Sequence, residues 1–263
     1  MTRVTIADLE VAYTESGSGR PVVLVHGLAE DRRTWELQQS ELTGVHTYAY
    51  DLRGHGETTL GEPDATLEQL GRDLIGFLAE VTGPAVVVGF SLGGTVALWA
   101  AAERPDLVER AVVLGTSSVV GRAAAEFYHA RIATAADTGS VEFRAALRDD
   151  TAAALSVARD RLDYVVDARL TAVGDGRGYT NAAGAMAGLH AAPLTPRLAD
   201  VRVHVDVVGA TGDTFCPPKA ARIILEALPD AEYHEITDAG HLMNIDNPHG
   251  VTDVLRATLN ERN

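Results

Sequence analysis

A chain of 263 residues with 46% hydrophobic and 22% charged side chains is long enough to bury one generous core and too apolar to be disordered. Its formal charge of −15 argues against nucleic acid or anionic membrane surfaces as partners, since both reward basic patches. The single cysteine, Cys216, excludes an internal disulfide framework and a multi-cysteine metal site. No apolar run approaches the roughly 20 residues that span a bilayer, and residues 1–8 lack the apolar stretch of a signal peptide, so a cytoplasmic location is expected.

Short apolar strands alternate with helical stretches over the first part of the chain, the pattern of a mostly parallel sheet covered on both faces. Val4–Ala7 and Leu9–Thr14 read as an opening pair of strands. Pro21–Val25 reads as a buried strand closed by His26-Gly27, and Thr47–Tyr50 as the next, running into Asp51. Thr66–Leu78 has Leu67, Leu70, Leu74, Phe77 and Leu78 at helical spacing. Pro84–Gly89 is a strand by composition. The helix from Leu92 to Glu103 must end before Pro105, because the residue ahead of a proline disfavours helix. Arg110–Leu114 is a further strand.

From about Ser117 to Pro196 strand signals nearly vanish and alanine-rich helical segments take over, for example Ala123–Ala136 and Val141–Ala158, interrupted at Val173–Gly178. Strands return at Val201–Val208 and Glu232–Ile236, and His249–Leu259 suits a closing helix. The expectation is an α/β core formed by residues 1–116 and 197–263, with a helical cap inserted at 117–196.

Gly89-Phe90-Ser91-Leu92-Gly93 lies between a strand and a helix and fits the G-x-S-x-G elbow. That turn projects a serine hydroxyl from the top of the sheet and aims the free N–H groups of the new helix at developing negative charge. A serine hydroxyl needs a base, and for this turn the partners follow in the order acid, then histidine. His241, in the loop after the last predicted strand, is the expected base, and Asp213, after the strand ending at Val208, the expected acid. Asp238 stands too near His241 in sequence to reach the far side of its ring, and Asp206 lies inside a strand. No acid follows closely after Leu114. The backbone N–H groups of Leu28 and Leu92 are the expected oxyanion donors. His26 is expected to brace its loop rather than act as a second base. Asp51 and Arg53 are expected to form a scaffold of charge-assisted hydrogen bonds, without a catalytic part. No cofactor and no metal is implied.

His26-Gly27, Asp51-x-Arg53-Gly54-His55-Gly56, Gly89-x-Ser91-x-Gly93-Gly94, Gly209-x-x-x-Asp213 with Pro217-Pro218, and Gly240-His241 occur in one order along most of the chain. In this combination the sequence resembles the α/β-hydrolase superfamily, and within it the small cap-bearing esterases and lactonases, enol-lactone hydrolases included, and the cofactor-free haloperoxidase and perhydrolase group. The resemblance implies acyl transfer from an ester or lactone of a small organic molecule. Cleavage of a carbon–carbon bond or formation of a peracid by the same three residues stays open, as does a receptor that binds without turnover. Dehalogenation is disfavoured, since it places a carboxylate where Ser91 stands. The sequence departs from its relatives at His204, where proline is common, and at Asp246, where glutamate is common. Phe127, Tyr128, His129, Tyr164, Tyr179 and His190 are candidates to line a cap pocket, with core packing or solvent as the alternative for each. Trp35 is a candidate to border it or to anchor the core. Oligomeric state is not legible.

Overall fold

The computed structural model describes residues 1–260. Eight strands form one sheet: β1 (Thr2–Ile6), β2 (Leu9–Gly17), β3 (Arg20–Val25), β4 (Val45–Tyr50), β5 (Ala85–Phe90), β6 (Val108–Leu114), β7 (Val205–Ala210) and β8 (Ala231–Ile236), in the spatial order β1-β2-β4-β3-β5-β6-β7-β8. Only β2 runs against its neighbours; from β4 onward every pairing is parallel. Parallel strands must be buried on both faces, which explains the valine runs. Period-two alternation sends Val23, Val87, Val113 and Val207 to one face and Val22, Val86, Val112 and Val208 to the other.

The helices that cover these faces follow in chain order. α1 (Glu36–Glu41) and α10 (Pro248–Asn260) cover one face, with Val251 and Leu255 packed there beside Trp35. α2 (Leu67–Phe77), α3 (Leu92–Glu103) and α8 (Pro218–Ala227) cover the other through Leu70, Leu74, Phe77, Val96 and Ile224. α4 (Arg122–Thr134), α5 (Val141–Ala154), α6 (Leu162–Val173) and α7 (Arg177–Gly188) all fall between β6 and β7, and α9 (Met243–Asp246) follows the last strand. α7 lies so close on the loop after β4 that a Cβ at Gly178 would overlap the Gly54 carbonyl. Asn181 there accepts the N–H of Ala65 at 2.7 Å.

Several element ends differ from the sequence-based expectation, and two of them by four residues with a visible cause. β7 begins at Val205 rather than Val201, because β6 offers it partners only from Ala111 onward and residues 195–200 coil into a 3-10 turn. α5 stops at Ala154 rather than Ala158. The N–H groups of Ser156, Val157 and Ala158, which would continue the helix, are taken instead by the carboxylate of Asp246 at 2.7–2.9 Å. Among the described residues no helix is long and apolar enough to cross a membrane.

Candidate active site

The turn from β5 into α3 holds Ser91 at φ 52°, a conformation that costs a non-glycine residue free energy and persists only where the surroundings enforce it. The surroundings here are tight. Ser91 donates its N–H to Leu114 on the neighbouring strand at 2.8 Å, and its carbonyl receives the N–H of Gly94 and Thr95. A Cβ at Gly89 would overlap the Gly93 carbonyl, and one at Gly93 would overlap the carbonyls of Val25 and His26. Both glycines are therefore demanded by close backbone approach.

The structure brings Ser91, His241 and Asp213 together. His241 Nε2 lies 3.0 Å from Ser91 Oγ, and its Nδ1 lies 2.9 Å from Asp213 Oδ2. Asp213 is buried, and its other oxygen accepts the N–H groups of Phe215 and Cys216 at 2.9 and 2.8 Å. Three hydrogen bonds of this kind fix the carboxylate before any substrate arrives. The Cys216 sulfur also lies within reach of Asp213 and His241, a grouping that geometry alone would allow to hold a cation. Burial pushes the Cys216 thiol up to about 12, so it stays protonated and is a poor ligand.

Leu28 and Leu92, the expected oxyanion donors, flank the serine. Leu92 opens α3, where backbone N–H groups have no partner within the helix. Leu28 sits in the turn Gly27–Glu30, closed by Glu30 N–H to Gly27 O at 3.3 Å, with Ala29 at φ 60°. The buried Glu30 carboxyl accepts the Gly27 N–H at 3.1 Å, and Arg169 of α6 donates to the Leu28 carbonyl at 3.3 Å.

His26 braces this loop and takes no part in the relay. Its Nε2 accepts the N–H of Leu52 at 2.9 Å and its Nδ1 donates to Gly27 O at 2.8 Å, a pattern only a neutral ring can make. His55 packs its ring 5.4 Å from that of His26. Burial pushes both rings down to about 4. An unfolded histidine takes its proton near pH 6.5, so between about 6.5 and 4 the unfolded chain binds more protons than the folded one. Stability is therefore expected to fall as pH drops through that window and to level off below it, by about 3 kcal/mol for each ring. Ring-proton NMR checks this: both signals should titrate near pH 4, and titration near 6.5 in the folded protein would refute it.

Asp51 and Arg53 form the expected scaffold, though with other partners than each other. Asp51 binds the side chain and the N–H of Arg32 and receives the N–H of Glu57. Arg53 is gripped by Asp73 at 2.7–2.8 Å and Asp8 at 2.9–3.0 Å, and donates to Leu60 O. Asp206, set aside as a strand residue, is buried against Arg110 at 2.6 Å and His234 at 2.9 Å. His204 pairs with Asp230 at 3.0 Å. Asp246 completes its set of four backbone donors with Gly240, the residue before His241, at 2.8 Å.

Two hollows open on Ser91 and His241. The wide one, of about 540 Å³, runs past Ser118, Val120, Phe127, Met186, Phe215 and Lys219. The narrow one, of about 50 Å³, is walled by Leu28, Phe90, Tyr128, Asp150, Arg169 and Tyr179. Of the aromatic candidates, Phe127 and Tyr128 line both and Tyr179 the narrow one. Tyr164 faces a separate hollow of about 150 Å³ that touches neither Ser91 nor His241. His190 binds the Val120 carbonyl, and Trp35 is fully buried in the core. The Phe90 ring lies 5.1 Å from that of His241. Arg169, Phe215 and Met186 had no signal in the sequence.

The sequence pattern of the alpha/beta hydrolase family matches residues 22–254. The chain belongs to that family. This hydrolase is 29% identical, over 94% of its length and 96% of the relative's, to a Mycobacterium tuberculosis protein, BpoC, whose name places it with the non-heme bromoperoxidases. It is 32% identical to a pimeloyl acyl-carrier-protein methyl ester esterase of Aromatoleum aromaticum, over 89% of this chain and 98% of that one. In three dimensions it is similar to the enol-lactonase of Burkholderia xenovorans LB400, with a TM-score of 0.88 and 26% identity over 99% of this chain and 100% of the other. The hydrolase thus carries its three polar residues at the positions its fold exposes, at the carboxyl ends of β5, β7 and β8.

Proposed function

We propose that the chain is a serine hydrolase that cleaves an ester or lactone of a small organic molecule through an acyl-enzyme at Ser91. The observation that carries this reading is the continuous relay from Ser91 Oγ through both ring nitrogens of His241 to Asp213, with a cavity open to the serine. His241 takes the hydroxyl proton as Oγ attacks the carbonyl, and Asp213 holds the ring in the required tautomer and offsets the imidazolium charge. The N–H groups of Leu28 and Leu92 receive the oxyanion, each worth roughly 10²–10³ in rate. The alcohol leaves with the proton from His241, and water activated by the same ring then frees the acid. Residues 117–196 act as a cap whose inner side, with Phe127, Tyr128 and Tyr179, selects the substrate. The partner is a small molecule rather than nucleic acid or membrane.

Attack of hydrogen peroxide, instead of water, on the same acyl-enzyme gives a peracid, a second outcome favoured by the likeness to BpoC along nearly the whole chain. A fluorophosphonate probe tests the shared step. Stoichiometric labelling, mapped to Ser91 and lost in Ser91→Ala, is expected together with turnover of an activated ester. Binding of esters without labelling or turnover would identify a receptor instead.

A further inference from the structure

The proposed relay makes no use of Arg169, a charged group in the same chamber as Ser91. Arg169 projects from α6 into the wall of the narrow chamber that also contains Ser91 and His241. A guanidinium carries five N–H donors. Arg169 spends one on Thr151 Oγ1 at 3.0 Å and one on the Leu28 carbonyl at 3.3 Å, and its Nε is buried with no acceptor. Among the described residues it enters no ion pair, in a chain with 37 acidic and 22 basic side chains. A buried donor left unsatisfied costs stability unless something supplies its acceptor.

The nearby acids do not supply it. Asp150 shares the chamber but is held by both nitrogens of Arg131 at 2.6 and 2.7 Å. Glu30 accepts the Gly27 N–H; burial pushes its carboxyl up and the Arg169 charge opposes this, but the two form no ion pair. Besides Ser91 and His241, the wall adds the hydroxyls of Tyr128 and Tyr179 and is otherwise apolar, so Arg169 is its one charged side chain outside an ion pair among the described residues. At about 50 Å³ the chamber has room for roughly three to five water-sized groups, enough for a carboxylate and a short linker.

We infer that Arg169 binds a carboxylate on the substrate, a few bonds from the carbonyl that Ser91 attacks, so that the preferred substrates are half-esters of short dicarboxylic acids or carboxylated lactones. This rests on the serine-hydrolase reading above and names its substrate class. The anionic end enters the narrow chamber, where the planar fork of the guanidinium matches two carboxylate oxygens. The other substituent of the carbonyl lies in the wide cavity, which tolerates varied size. Arg169 thereby specifies the substrate, and its bond to the Leu28 carbonyl links an occupied chamber to the oxyanion turn.

The test compares monoethyl glutarate with ethyl valerate, which has an acyl chain of matching length without the charge. The wild-type protein is expected to favour the glutarate in kcat/KM. Arg169→Gln is expected to lower the glutarate-to-valerate ratio by roughly 10–100-fold, the worth of a charged hydrogen-bonded contact. Arg169→Lys, which keeps the charge but not the fork, should hold an intermediate ratio and serves if the glutamine variant does not fold. A wild-type preference for valerate, or a ratio unchanged within about twofold when both substrates slow together, overturns the proposal and leaves Arg169 only as a brace for Leu28. Calorimetry of glutarate binding to Ser91→Ala separates the two readings. Binding that depends on Arg169 without any Ser91-dependent hydrolysis sinks the hydrolase reading alone. Ser91-dependent hydrolysis of ethyl valerate without such binding sinks the carboxylate site alone.

Discussion

Ser91→Ala is expected to lower kcat on a p-nitrophenyl ester by roughly 10⁴-fold or more, with the fold and the melting temperature preserved. The size follows from how the site is built. Among the described residues the hydroxyl is the only nucleophile that His241 Nε2 reaches, at 3.0 Å, and the Cys216 thiol, pushed up to about 12, is no substitute. What remains in the variant is the oxyanion turn and the cavity, which orient water poorly because neither was shaped around it. Alanine also relieves nothing in the backbone, since φ 52° is as unfavourable for alanine as for serine, so lost activity is not masked by a gain in order. A variant that keeps more than about a tenth of wild-type turnover would remove Ser91 from the reaction.

Arg53→Met should reduce the free energy of unfolding by about 3–5 kcal/mol at pH 7, measured by urea denaturation. Methionine keeps much of the aliphatic bulk and removes the charge. Arg53 is 3% exposed and joins the β1–β2 turn through Asp8, the loop after β4 through Leu60 O, and α2 through Asp73. Its hydrogen bonds and charge hold Asp8 down at about 2. Burial already pushes Asp73 up, and Arg53 is what opposes this; without it the buried carboxylate must take a proton or unfold its surroundings. A second change, Asp73→Leu, should recover part of the loss, because removing both charges leaves no buried ion uncompensated. A loss under about 1 kcal/mol in the single variant would show that the network is cosmetic.

The parts of this protein that were readable in its sequence are those enforced locally. Gly89 and Gly93 must be glycine because backbone meets backbone at that turn, and the same crowding writes a pattern around Ser91. The valine runs of β3, β5 and β6 mark strands covered on both faces for an equally local reason. The parts that were not readable depend on groups distant in sequence. Nothing near Ala154 announces the end of α5, since the acceptor that ends it is Asp246, and nothing near Val201 announces that β6 offers no partner there. Aromatic side chains make up only 5% of the chain, yet Phe127, Tyr128, Tyr179 and Phe215 gather around the serine. Composition counts residues and is silent on where they meet. Arg169 is one polar residue in α6 until the fold places it beside Leu28.

The carboxylate of Asp246 carries a consequence for how the helical insert can vary. It rivets the α5–α6 joint to the residue before His241, and Leu242 adds a bond from its N–H to the Ala154 carbonyl at 3.1 Å. At this seam the backbone of the insert shares an acceptor with the histidine loop. Any replacement for the helices between β6 and β7 would have to deliver three amides to that one carboxylate, or the imidazole would inherit the misfit.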